Sequence, residues 1–81
     1  MGNDKKTIKE RTAMEMRYLG STAEEIAERI DIPKSTIDGW FSTDGKLYSD
    51  YVLFEQRMNE RREEWIIIIA KNVKKRLMNL K

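Results

Sequence analysis

The chain has 81 residues, enough for one small domain, and its 16 basic and 14 acidic residues leave a net charge of only +2. Cysteine and histidine are both absent, which excludes a disulfide framework, a thiolate zinc site and the commonest general base and metal ligand. One proline, four glycines and no apolar run of bilayer length predict an all-α cytoplasmic module outside the membrane, with no catalytic residue, no metal and no cofactor.

The polar start, MGNDKK, lacks the apolar stretch of a signal peptide. Thr7-Ile8-Lys9-Glu10 has the form of a capping box, threonine accepting from the first turn while glutamate reaches back. A first helix follows to Leu19, with Ile8, Met16 and Leu19 on its inner face, and Gly20 stands where a left-handed cap belongs. Thr22-Ala23-Glu24-Glu25 repeats the capping box and opens a second helix, from about Ala23 to Ile30, that buries Ile26, Ala27 and Ile30. Asp31-Ile32 makes the turn, and Pro33 suits the start of a third helix, where a missing N–H costs nothing. That helix carries Ile37, Trp40 and Phe41 and fades near Ser42 to Asp44, and Gly45 is the expected residue of positive φ in the next turn.

From Ser49 onward proline and glycine disappear. Tyr51, Phe54, Met58, Trp65, Ile69, Val73, Leu77 and Leu80 follow three- and four-residue steps, the spacing of one helix face. A continuous helix of about thirty residues would be about 45 Å long, more than the front of so small a domain can cover. Its segment Trp65 to Ala70, WIIIIA, is apolar all round; either copies of the chain meet around it as a helix or it is a strand, since Ile and Trp favour strands. The helix-forming flanks favour helix, and Trp65, Ile66, Ile67, Ile68, Ile69 and Val73 become the candidate oligomerisation surface. The methionines Met14, Met16, Met58 and Met78 read as core fillers. The expected organisation is a three-helix domain over residues 1–46 and a long oligomerisation helix with a basic end over residues 47–81.

Around Ala27, the apolar positions Ile26, Ile30, Ile32, Ile37 and Trp40 have the spacing that packs the two helices of a helix-turn-helix against each other. An ordinary αα-hairpin would share that spacing, and fold alone does not give function. If the motif reads DNA, the outer face of the third helix supplies the contacts: Lys34, Ser35, Thr36, Asp38, Gly39, Ser42 and Thr43. Charge is against it. Residues 21–50 hold three bases and seven acids, whereas residues 51–81 hold eight bases and four acids. Phosphate affinity must come from the flanks and from multiplying subunits. Lys71, Lys74, Lys75, Arg76 and Lys81 form an acid-free end that serves either the helix dipole or a DNA or partner contact.

The run YLGSTAEEIAERIDIPKSTIDGWFSTDGKLYSDY resembles the N-terminal helix-turn-helix domain of the small terminase subunits of tailed phages. The likeness covers about residues 8–55 and is most specific at Trp40, Phe41, Gly45, Leu47, Tyr48 and Tyr51. It implies a viral genome-packaging adaptor that binds double-stranded DNA, assembles as a ring-shaped homo-oligomer and recruits the large ATPase-nuclease subunit. A dimeric transcription regulator or recombinase accessory protein is the alternative, and an interaction module without DNA is the third.

Overall fold

The computed structural model describes residues 6–80, the side chain of Leu80 excepted, so the placement of residues 1–5, of Leu80 in the apolar stripe and of Lys81 in the basic end lies outside the described part. Five helices follow in order: α1 (Ile8–Tyr18), α2 (Ala23–Ile30), α3 (Lys34–Phe41), α4 (Tyr48–Glu60) and α5 (Arg62–Leu80). The described residues contain no strand, so the WIIIIA segment is helical.

Both capping boxes form. The Glu10 N–H donates to Thr7 Oγ1 at 3.1 Å while the Thr7 N–H donates to Glu10 Oε1 at 2.9 Å. Thr22 and Glu25 repeat the exchange at 2.8 and 3.1 Å. Each box satisfies two N–H groups that a helix start leaves open. At the other end of α1, Gly20 takes φ +102°, the Ser21 N–H reaches the Met16 carbonyl and the Gly20 N–H reaches that of Arg17. This is a Schellman stop built on a residue without Cβ. Asp31 ends α2 at φ 59°, ψ 51°, a left-handed position that aspartate tolerates better than most side chains.

Ile26, Ile30 and Ile37 lose all or nearly all contact with solvent, and Ala13, Met16, Tyr18, Ile69 and Val73 complete the same cluster. Ala27, Ile32, Trp40, Phe41, Tyr51, Phe54 and Met58 pack around it, partly buried. Thr12 is fully buried, but its hydroxyl donates to the Ile8 carbonyl at 2.7 Å and so is not left unpaired. Tyr18 donates to Asn59 Oδ1 at 2.8 Å, and its ring meets Phe54 edge-on at 5.8 Å, which fixes α4 against α1.

Several expectations need correction. The long C-terminal helix is two helices: Arg61, at φ −139° and ψ 53°, breaks it. The polar NERREE stretch offers no apolar contact to hold a straight rod, whereas folding back lets α5 pack on α1 and α2 and bury Ile69 and Val73. The result measures 31 × 29 × 24 Å. One core therefore spans both sides of the boundary drawn between residues 46 and 47. Ile8, expected on the inner face of α1, is 60% exposed at the open start of the helix, and Met78, expected in the core, is 72% exposed.

Gly45 is also not the positive-φ residue; among the described glycines only Gly20 is. It is glycine for want of space, since a Cβ there would stand 2.1 Å from the Gly39 carbonyl oxygen and 2.4 Å from that of Trp40. The loop is laid directly on the end of α3, where the Leu47 N–H donates to the Trp40 carbonyl at 2.9 Å.

Candidate nucleic-acid interface

Asp31, Ile32 and Pro33 join α2 to α3. The Ile32 N–H donates back to the Ala27 carbonyl at 3.1 Å, and the Pro33 carbonyl accepts from Thr36 and Ile37 as α3 begins. Burial of Ile26 and Ile30 from α2 and of Ile37 from α3 sets the roll of α3 about its axis. With Ile37 inward, Lys34, Ser35, Thr36, Asp38 and Gly39 face solvent, and Ser42 and Thr43 continue the exposed surface past the helix end. All seven predicted residues thus lie on accessible surface, along α3 or just past its end. No side chain caps the N-terminus of α3.

The electrostatics of this face are nearly self-cancelling. Lys34 Nζ lies 2.9 Å from Asp38 Oδ2, one helical turn on. That hydrogen bond, the charge of Asp38 and the more distant charge of Glu24 raise the Lys34 pKa above its ordinary value. The one base on the α3 face is already held by the one acid there. Ser42 spends its hydroxyl on the Gly39 carbonyl at 2.9 Å. Apart from its own stretch of helix, nothing lies within 4 Å of where a Gly39 Cβ would be, so a flat approach to α3 is open at that point.

The aromatic residues behind the face serve to hold it. Phe41 meets Tyr51 edge-on at 5.5 Å, Tyr51 lies beside Phe54 at 6.3 Å, and the Arg17 guanidinium sits 4.8 Å over the Phe41 ring. Leu47 is 1% exposed. The segment from Trp40 to Tyr51 is thus a seam that seats α4 on the end of α3 and so fixes the outer face.

The remaining cations divide by role. Arg76 pairs with Glu15 inside the α1–α5 contact, and Lys46 pairs with the buried Glu10. Lys71, Lys74 and Lys75 are exposed and make no ion pair among the described residues. They do not stand in the last turn of α5, which carries no base, so they do not complement its dipole. Lys74 instead shares a shallow groove of about 350 Å³ with Arg29, Leu77 and Met78. Arg29 went unsuspected in the sequence. Its signal was a base in the last turn of α2, two residues before the left-handed Asp31.

The predicted oligomerisation residues separate as well. Ile69 and Val73 are buried within the single chain and Ile66 is half-buried; Trp65, Ile67 and Ile68 remain exposed. No described helix is long and apolar enough to cross a membrane. Compared with protein-family models, curated proteins and solved structures, the chain matches none.

Proposed function

We propose that the chain is a helix-turn-helix DNA-binding adaptor that lays α3 in the major groove of a duplex and works in more than one copy. The observation that carries this reading is the outer face of α3. It is a polar strip from Lys34 to Thr43, open to solvent, on a helix whose roll is fixed by the burial of Ile37. Lys34, Ser35, Thr36 and Thr43 supply donors and hydroxyls to base edges or phosphates. Gly39 admits the close approach. Arg29 and Lys74 supply phosphate contacts that the α3 face, neutralised by Asp38, cannot.

The packaging-adaptor form of this reading rests on the likeness to terminase small subunits. It is supported by the seam in which Phe41, Gly45, Leu47 and Tyr51 hold α3 and α4 together; recruitment of a large ATPase-nuclease subunit belongs to it. A dimeric regulator is favoured by one separate observation. Ile69 and Val73 are consumed inside the chain, which leaves a surface better matched to few copies than to many. Native mass spectrometry with and without duplex separates the two by copy number.

DNA binding itself is tested by fluorescence anisotropy of a labelled duplex over a salt series. Lys34→Ala should lower the salt slope by about one. Asp38→Asn, which frees Lys34 and removes a repulsive charge, should tighten binding about threefold. Absence of salt-dependent binding to any duplex at low ionic strength refutes the proposal.

A further inference from the structure

The outer side of α5 carries an apolar and cationic surface that neither the core nor α3 uses. Ile67 is 59% and Ile68 44% exposed, consecutive residues on a side of the helix turned away from Ile69 and Val73. A turn further on stands Lys71, exposed and without an ion pair among the described residues; a turn before stands Glu64, exposed, whose nearest base is Arg61 at 3.8 Å. After Glu64 the chain contains no further acid. The face therefore runs from acidic through apolar to basic along its axis.

That order is its own complement when reversed. Glu64 and Lys71 are seven residues apart, about 10 Å along a helix, and the midpoint between them falls between Ile67 and Ile68. A two-fold axis through that midpoint, perpendicular to the helix, brings Glu64 of one copy to the height of Lys71 in the other, twice, with the four isoleucines between. A parallel pairing would instead set Glu64 on Glu64 and Lys71 on Lys71. An isologous contact needs one self-complementary patch and closes at two copies; this one has opposite charges at its ends and an apolar centre. We infer that α5 pairs antiparallel with α5 of a second copy across Ile67 and Ile68, with Glu64 opposite Lys71 at both ends. This contact pairs copies in whatever larger assembly they enter, and it stands apart from DNA binding, since no nucleic acid enters the argument.

The test is sedimentation equilibrium of the full chain without DNA, over concentrations up to about 1 mM. The wild-type chain should dimerise. Ile68→Glu should abolish the dimer. Glu64→Lys and Lys71→Glu should each raise the dimer dissociation constant about tenfold, because each places like charges together at both ends. Two outcomes discriminate: the double variant Glu64→Lys/Lys71→Glu should recover the dimer, and the two single variants should associate when mixed. These substitutions lie on exposed surface, and an unchanged far-UV circular dichroism spectrum confirms that the variants fold. A wild-type chain that stays monomeric overturns the pairing, as does a double variant no better than either single one. Failure of DNA binding leaves these masses untouched, so the two proposals fall separately.

Discussion

The outer faces of α3 and α5 make an instructive pair. Both helices bury one side in the same cluster, Ile37 from α3 and Ile69 and Val73 from α5. Outward, α3 shows hydroxyls, a glycine and a lysine held by its own aspartate, whereas α5 shows two isoleucines and three lysines without ion pairs among the described residues. A hydrated, charge-balanced strip loses little by exposure and can accept a polar ligand. An apolar strip pays in water for every copy left alone. The two proposals above, reading by α3 and pairing by α5, rest on this difference, whereas the inner halves of both helices serve the same core.

The sharpest break separates the two sides of α5. Ile69→Ala removes a buried side chain from a core that α1 and α2 share, and it should destabilise the chain by about 2–5 kcal/mol. Ile67→Ala, two residues away, should change monomer stability by no more than about 0.5 kcal/mol. Urea denaturation at concentrations low enough to keep the chain monomeric measures both. Because one core spans α1, α2, α3 and α5, tryptophan fluorescence and circular dichroism should report a single coincident transition for Ile69→Ala. Two separated transitions would mean that the front helices stand without α5.

A second break targets the seam that holds the α3 face in place. Gly45→Ala would force a methyl group against the carbonyls of Gly39 and Trp40, backbone atoms that can move only with α3 itself. A cost of about 1–3 kcal/mol is expected in the same denaturation assay, the range for overpacking a filled site. If α3 reads DNA, affinity should fall beyond what the unfolded fraction explains.

Much of this arrangement was legible in the residues. Thr7, Glu10, Thr22, Glu25 and Gly20 are local signals, each acting within four residues, and all took their expected roles. The spacing of Ile26, Ile30 and Ile37 gave the inner faces of α2 and α3 for the same reason. What escaped depends on contacts far apart in sequence. A run such as WIIIIA is apolar on every side, so periodicity could not divide Ile69, which faces the core, from Ile67, which does not. The break at Arg61 is decided by the burial that α5 gains on α1, and no residue of NERREE announces it. A turn glycine such as Gly45 serves either conformation or space, and only the carbonyls of Gly39 and Trp40 above it distinguish the two. The groove that Arg29 shares with Lys74 exists only because α5 folds back beside α2.

The smallest expected effect tests the charge side of the comparison, away from both outer faces. Burial alone would push the Glu10 carboxyl upward, but its hydrogen bonds to Lys46 and Thr7 and the charge of Lys46 outweigh that, and its pKa falls below the ordinary 4.5. A carboxylate with a depressed folded-state pKa contributes stability that is present above about pH 4.5 and is lost as pH falls through the lower value. Glu15 works the other way. Its desolvation exceeds the attraction of Arg76 and Arg11 and raises its pKa above 4.5, so the fold gains stability as pH falls toward 4.5 from above. Stability should therefore peak in mild acid. Glu10→Gln keeps the capping box, which accepts glutamine, and removes the charge. Near neutral pH it should cost no more than about 1 kcal/mol, because Lys46 is largely exposed and solvent screens the pair. Below pH 4.5 the difference between variant and wild type should shrink toward zero in urea titrations. A constant gap from pH 7 to pH 3 would show that Glu10 acts through its cap alone, with no contribution from its charge.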